Sequence, residues 1–273
     1  MAGTDRTREQ PEGGPAIVLV EPQLGENIGT AARAMANFGL DDLRLVAPRD
    51  GWPSMSAVRA ASGADRVVDG ARVFATTEEA IADLQFVLAT TARTRDMAKP
   101  VMSVAEAARE LRAREAAGER TGVLFGREKA GLKNDDVVLA HAIVMAPVSP
   151  AFASLNLAQA VLLVGYEWYK PVATTFGDPA FGPAPVTRTG PRIPGTRTAT
   201  SEEVLNFFRR LEQALDEAGF LYPPEKRPAM VRSIRNIFQR ANLTEQDVRT
   251  LHGIVSALIA TGGACRRGEG GDR

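Results

Sequence analysis

The chain has 273 residues, 44% of them hydrophobic and 24% charged, with a formal net charge of zero. That composition suits an ordinary globular protein with room for one large domain or two smaller ones. It excludes a uniformly basic nucleic-acid-binding chain, although local clusters can still meet phosphates, and the solitary Cys265 excludes an intrachain disulfide and a cysteine zinc site. His141 and His252 lie far apart without ligand-spaced neighbours, so no metal is expected. No run approaches the roughly 18 apolar residues of a membrane span. The opening MAGTDRTREQPEGG lacks the apolar core of a signal peptide, which makes a reducing cytoplasm the expectation.

Residues 1–14 read as a disordered polar tail. Ala16 to Glu21 is a buried-strand signal, followed by a glycine-bearing loop, Pro22 to Gly29, and a helix from about Thr30 to Phe38 that Gly39 closes. Leu43 to Val46 is the next strand, completing a βαβ start. Asn27, Gly29 and Arg33 fit two readings equally: helix capping with a surface arginine, or a site at the carboxyl end of the first strand. A dinucleotide fold needs G-x-G-x-x-G after that strand, and only Gly25 and Gly29 are present.

Pro53 to Ala64 is expected to be helical, with Met55, Val58 and Ala61 on one face. Val67-Val68 and Val73-Phe74 read as short strand or loop pieces, and Thr77 to Ile81 as a short acidic-capped helix. The strand Phe86 to Thr90 runs into Thr91-Ala92-Arg93-Thr94-Arg95, hydroxyls and guanidiniums that suit an anionic or hydroxylated ligand and equally a solvated loop. An amphipathic helix covers Ser103 to Ala116. The strand Gly122 to Gly126 ends in Arg127 to Leu132, where Gly126 and Gly131 allow backbone to approach a ligand. Glu128 projects there, or else pairs on the surface with Arg127 or Lys129. After a short helix at Asp135 and Asp136, the strand Ile143 to Met145 turns through Pro147 and Pro150 into a long apolar helix. Ser154 and Asn156 stand at that junction, where helix N–H groups lack partners and can bind a ligand. The loops 22–30, 90–95, 125–132 and 146–156 share one edge if the sheet is parallel, and that convergence carries more weight than any single loop.

Residues 171–199 are rich in proline and glycine and read as a linker. A helical unit spans 200–262, opening on the capping box Thr200-Ser-Glu-Glu203. Its second helix, Arg227 to Ala241, turns Met230, Val231, Ile234, Ile237 and Phe238 inward, and its third starts at the N-cap Thr244. Lys226 to Arg240 contains no acid, and Arg232, Arg235 and Gln239 share the face opposite the apolar stripe, which reads as one that tracks RNA phosphates rather than one that is merely solvated. Residues 263–273 form a second disordered tail.

Three segments together resemble one family. Asn27-Ile-Gly-Thr-Ala-Ala-Arg33, Leu124-Phe125-Gly126-Arg-Glu128-Lys-Ala-Gly131-Leu and Ser154-Leu155-Asn156 are similar to the three motifs of the SpoU/TrmH class of RNA 2′-O-ribose methyltransferases, within the SPOUT superfamily. Thr90 to Arg95 and the C-terminal unit resemble its TrmJ branch, which methylates the ribose at position 32 of the tRNA anticodon loop. The resemblance implies an α/β domain over 15–170 with a parallel sheet and a deep C-terminal trefoil knot, followed by a small all-helical unit. It implies S-adenosylmethionine as cofactor, tRNA as partner and a homodimer. Arg33, Asn27, Glu128, Ser154 and Asn156 become the catalytic set, with Arg33 as base or as a clamp on the adjacent phosphate, since a guanidinium with pKa above about 12 is a poor base. Thr90, Thr91, Ala92, Leu124, Phe125, Gly126, Gly131, Ala146, Ala153, Ser154 and Leu155 become the cofactor set. Arg33, Arg93, Arg95, Arg232, Arg235 and Arg240 become the RNA set. Ala146 and the run Val148 to Ala151 depart from the family's usual residues and bear on the adenine pocket. Beside a 2′-O-methyltransferase acting on another tRNA position or on ribosomal RNA, a non-catalytic RNA-binding relative and a nicotinamide oxidoreductase are the competing readings. The RNA-binding relative predicts tRNA binding without cofactor uptake, the oxidoreductase nicotinamide binding.

Overall fold

In the computed structural model, which describes residues 13–91, 99–175 and 196–268 (backbone alone for 172–175 and 261–268), short apolar runs alternate with helices. In chain order these are β1 (Ala16–Val20), α1 (Gly25–Asn37), β2 (Leu43–Val46), α2 (Met55–Ala61), α3 (Asp65–Asp69), β3 (Arg72–Phe74), α4 (Thr77–Ile81), β4 (Phe86–Thr90), β5 (Val101–Ser103), α5 (Val104–Ala116), β6 (Thr121–Phe125), α6 (Asn134–Leu139), β7 (Ala142–Met145) and α7 (Leu157–Thr175). The helices α8 (Ser201–Glu217), α9 (Arg227–Gln239) and α10 (Glu245–Gly268) come next in the chain. The strands form one seven-stranded sheet in the order β3-β2-β1-β6-β4-β7-β5. Every pairing is parallel, so all strands end on the same edge. The four strands expected to deliver the site loops, β1, β6, β4 and β7, are four neighbours in that sheet.

Both faces of the sheet are covered, as a parallel sheet requires. On one face Ile17, Leu19, Leu88, Val123 and Phe125 pack with α1, α5 and α7. On the other, Val18, Val87, Ala89 and Leu124 share a core with Val204, Leu205, Phe207 and Phe208 of α8 and Val248 and Val255 of α10. The helical unit therefore completes the sheet's second core. Ser201 bolts it on, donating from both N and Oγ to Leu84 O at 2.7 Å. Phe207 and Phe208 are each 1% exposed, and burial of such side chains contributes about 1.5–3 kcal/mol apiece. β7 lies between β4 and β5, an order consistent with the expected knot; residues 92–98 of the connection from β4 to β5 are outside the described residues.

Several local expectations change. α1 begins at Gly25, five residues early, directly after the Gln23 and Leu24 N–H groups that a distant carboxylate binds. Val67-Val68 belongs to a helix, α3, and β5 is an additional edge strand. α2 turns Ala57 and Ala61 inward, leaving Met55 68% and Val58 39% exposed. Its partner face is built from glycines: a Cβ on Gly29 would lie 2.1 Å from Ala57 O, and one on Gly25 2.1 Å from Ser56 Oγ. Those two glycines thus serve helix–helix contact rather than ligand approach. α7 continues through Pro171 to Thr175, past the boundary expected at 170. On α9, Ile237 is exposed and Gln239 is buried, the reverse of the expected stripe. The Thr200 capping box and the Thr244 cap form as expected.

Candidate active site

The edge where β1, β6, β4 and β7 end holds a cavity of about 360 Å³. Thr90 and Thr91 wall it from β4, Phe125 and the loop Gly126 to Gly131 from β6, and Ala146, Val148, Ala153, Ser154 and Leu155 from the loop after β7. Of the expected cofactor residues, Leu124 alone among those described lies outside it. Side chains alternate along a strand, so Phe125 faces the cavity while Leu124, fully buried, faces the opposite core. Leu124 contributes its carbonyl instead, accepting from Thr90 Oγ1 at 2.9 Å. Ala92, Arg93 and Arg95 lie outside the described residues. Gly126 is required by the loop's own closure, since a Cβ there would lie 2.1 Å from the Gly131 and Leu132 backbone, and Gly131 turns at φ 67°.

At the mouth, one hydrogen-bonded chain joins all three sequence motifs. The Glu128 carboxylate accepts from the N–H groups of Gln23 at 2.9 Å and Leu24 at 3.1 Å, capping α1 from 101 or more residues away. It also accepts from Asn27 Nδ2 at 3.0 Å. Asn27 Oδ1 in turn accepts from Asn156 Nδ2 at 3.0 Å. Asn156 Oδ1 accepts from Ala158 N–H at 2.9 Å and so caps α7. Glu128 is therefore not the partner of Arg127 or Lys129; Arg127 pairs with Glu21 at 3.2 Å, and Lys133 pairs with the same carboxylate. A carboxylate at the start of a helix meets both the unpaired N–H groups and the positive end of the dipole. With Asn156 as the cap of α7, the Ser154 hydroxyl is left exposed on the cavity wall, without a partner among the described residues.

Arg33 is also exposed and without a hydrogen-bond or ion-pair partner among the described residues. It points along the outer face of α1, away from the cavity lining. The expected basic face of α9 is turned toward protein. Arg232 pairs with Asp135 at 3.1 Å, Arg235 binds Glu212 through two bonds of 2.7 and 3.2 Å, and Gln239 donates to Leu139 O. Acids absent from α9 itself are supplied by α6 and α8, so Arg232 and Arg235 are ion-paired here rather than free. Arg240 stays exposed and bonds its own helix at Asn236 O.

Sequence reading overlooked much of the apolar wall. Leu157, Ala160, Leu163 and Val164 of α7 and Val104 of α5 line the cavity. That helical spacing comes directly after the Ser154–Asn156 turn, and the same apolar positions also pack in the core. Val144, pointing from β7, completes the apolar side.

The sequence profile of the SpoU rRNA Methylase family matches residues 14–166, and that of the TrmJ C-terminal domain matches 202–268. The chain belongs to the TrmJ branch of the SpoU methylase family. A tRNA (cytidine/uridine/adenosine-2′-O-)-methyltransferase TrmJ of Pseudomonas aeruginosa is 36% identical over 93% of this chain and 97% of its own length. A tRNA (cytidine/uridine-2′-O-)-methyltransferase TrmJ of Yersinia enterocolitica is 33% identical over 89% and 90%. The crystal structure of TrmJ from Z. mobilis ZM4 superposes with a TM-score of 0.77 at 48% identity, over 90% of this chain and 99% of that one. A SpoU methylase draws its methyl group from S-adenosylmethionine, and this cavity suits that donor. Its volume falls within the range of about 300–1,000 Å³ typical of cofactor pockets. Val104, Val144, Leu157 and Val164 offer an apolar side for a base; Thr90, Thr91, Ser154 and the 126–131 backbone offer polar contacts for the rest. Among the described residues there is no acidic or histidine cluster that would hold a metal, and no helix is long and apolar enough to cross a membrane.

Proposed function

We propose that this chain transfers a methyl group to the ribose 2′-hydroxyl of nucleotide 32 in the tRNA anticodon loop, working as a cytoplasmic homodimer. The observation that carries this reading is the chain Glu128–Asn27–Asn156, which gathers the three family motifs at the mouth of one cavity. S-adenosylmethionine brings the methyl as a sulfonium, already an activated electrophile. The residues of this chain have the remaining tasks of holding the loops still and aligning the ribose oxygen, and such positioning is a large share of catalysis. Glu128, Asn27 and Asn156 fix the starts of α1 and α7. Ser154, free on the wall, orients the ribose or the donor. Arg33 contacts the phosphate beside the target ribose and makes the 2′-oxygen easier to deprotonate. Arg93, Arg95 and Arg240 are the further cations assigned to RNA. The homodimer is supported by Leu162 and Tyr166 of α7 and by Leu24 at the start of α1, which are 42%, 42% and 45% exposed close to the motifs.

The test is transfer of labelled methyl from S-adenosylmethionine to tRNA transcripts, one set normal and one with a single 2′-deoxy ribose at position 32. Label lost with the deoxy substitution supports both chemistry and position. Label that persists moves the target elsewhere in the RNA. No label and no cofactor uptake overturns the enzyme reading.

A further inference from the structure

α6 stands between the two loops that form most of the cavity wall: 126–132 precede it, and β7 with 146–156 comes after. Its carbonyl end is held by side chains from distant parts of the chain. Lys99 Nζ donates to Val138 O at 3.1 Å and to Ala140 O at 2.5 Å. Between them, Gln239 Nε2 of α9 donates to Leu139 O at 2.6 Å. Three consecutive carbonyls are thus shared between one cation and one amide. Both side chains are withdrawn from water, Lys99 at 7% and Gln239 at 8% exposure. Burial at that depth is tolerated only where the polar atoms are bonded, and these bonds are what compensate it.

Lys99 has no acid partner among the described residues; the charged and titratable groups near it are Arg240 and His141. Burial, then the Arg240 charge, brings its pKa down to about 8. An unneutralised buried ammonium kept for ordinary packing is costly, whereas at the negative end of a helix it has a reason to be there. Lys99 also opens the edge of the cavity wall. The next residue, Pro100, accepts from Ile143 N at 2.8 Å; β5 then pairs with β7, and Val104 directly after it lines the cavity.

We propose that Lys99 and Gln239 are positioning residues for the cofactor cavity: they hold the carbonyl end of α6 from two sides, and through it the C-terminal helical unit sets the cavity's affinity for S-adenosylmethionine. This rests on the reading of the cavity as the S-adenosylmethionine site. It gives the helical unit a second role beside RNA contact, because α9 touches an element that both cavity loops depend on. Neither residue reaches the reacting atoms.

The experiment is calorimetric titration of S-adenosylmethionine into the full-length chain and its variants Q239L, K99M and V255A, with methyl transfer to tRNA measured alongside. Q239L keeps the volume and removes the donor. V255A trims the same helical unit at a buried site on α10 and leaves the bonds to the carbonyl end of α6 in place. Loss of one buried hydrogen bond is expected to raise the Kd for S-adenosylmethionine about five- to tenfold in Q239L. KM for the cofactor should rise in step while kcat at saturation stays within about twofold. K99M should weaken binding at least as much, and V255A should lower thermal stability without moving Kd. The proposal is overturned if Q239L binds as wild type does, if a folded K99M does, or if V255A shifts Kd as far as Q239L. A wild-type chain that takes up no S-adenosylmethionine overturns this inference and the cofactor reading together; a wild type that binds, with Q239L unchanged, overturns this one alone.

Discussion

Changing Asn27 to Asp swaps one nitrogen for one oxygen at the centre of the motif network, and it keeps one of the residue's two bonds while reversing the other. The bond from Asn156 Nδ2 to residue 27 survives, because the acceptor at 3.0 Å remains. The bond to Glu128 Oε1, also 3.0 Å, becomes two carboxylate oxygens facing each other. A hydrogen bond to a charged group is worth about 1.5–3 kcal/mol, and two like charges near 4 Å repel by about 4 kcal/mol at an effective dielectric of 20. Glu128 is only partly buried, so solvent screens part of the repulsion and the net expectation is a loss of about 2–4 kcal/mol. Asn27→Ala removes both bonds without adding a charge and should cost less, about 1–2 kcal/mol. When Asn27→Asp is combined with Glu128→Gln, the new amide can donate to the new carboxylate while its oxygen still accepts from the α1 N–H groups. The double-mutant cycle should therefore show a favourable coupling of about 1–3 kcal/mol. Urea unfolding of the four proteins measures it. The pH dependence has a fixed sign. Repulsion raises the pKa of the carboxylate pair in the folded protein, so N27D loses stability relative to wild type as pH rises through that value and recovers it in acid, where a shared proton restores the bond. N27D as stable as N27A, or strictly additive variants, would refute the network.

Gly29→Ala places a methyl 2.1 Å from Ala57 O and should cost about 1–3 kcal/mol by forcing α1 and α2 apart, read as a lower urea midpoint at constant slope. His141 is half-buried, and desolvation of its ring with the charges of Arg114 and Lys99 lowers its pKa from 6.5 to about 3; the Val87 N–H that donates to Nδ1 needs the neutral ring. The unfolded chain binds this proton first, so stability is full above about pH 6.5 and falls toward pH 3; His141→Gln should flatten that limb in a series of melts, and an unchanged limb would contradict it. Glu115 has the opposite sign. Burial outweighs the Thr121 hydroxyl and the Arg112 charge and raises its pKa to about 7, so its ionisation opposes folding as pH climbs from about 4.5 through 7. Glu115→Gln should melt above wild type at pH 8 and lose that advantage below about pH 4.5.

Strand cores and loop convergence could be read from sequence because both are local. Ile17 to Val20 and Phe86 to Ala89 are apolar on both faces, as buried parallel strands must be, and the motif loops leave strands that turn out to be neighbours. What could not be read depends on partners far along the chain. α1 starts at Gly25, directly after the Leu24 N–H that Glu128 binds, and nothing within residues 20–30 announces that cap. The burial of α2 centres on Ala57 and Ala61, and Gly25 and Gly29 admit Ala57 and Ala60 closely, so size overrode hydrophobicity. On α9 the acid-free run looked like a phosphate face, yet Asp135 and Glu212 answer it from α6 and α8. The same distance effect hid Gln239, a polar residue buried because Leu139 O needs a donor.

The geometry of α1 also bears on how many copies of the chain the reaction takes. Asn27 and Arg33 are six positions apart, about 120° around the helix at about 100° per residue. One side bonds Glu128 and Asn156 at the cavity mouth; the other carries Arg33 to the exposed face. The two side chains therefore leave different sides of a helix held against α2 and α7, which favours Arg33 serving the cavity of a second copy in the proposed homodimer. Mixing Arg33→Ala with Ser154→Ala, each expected to be inactive alone, separates the cases. In exchanged homodimers half the molecules are mixed, and each mixed dimer holds one site with both residues intact, so about a quarter of wild-type methyl transfer should return. Activity that stays at background, with subunit exchange demonstrated by a tag, would mean that Arg33 serves its own chain or only binds RNA.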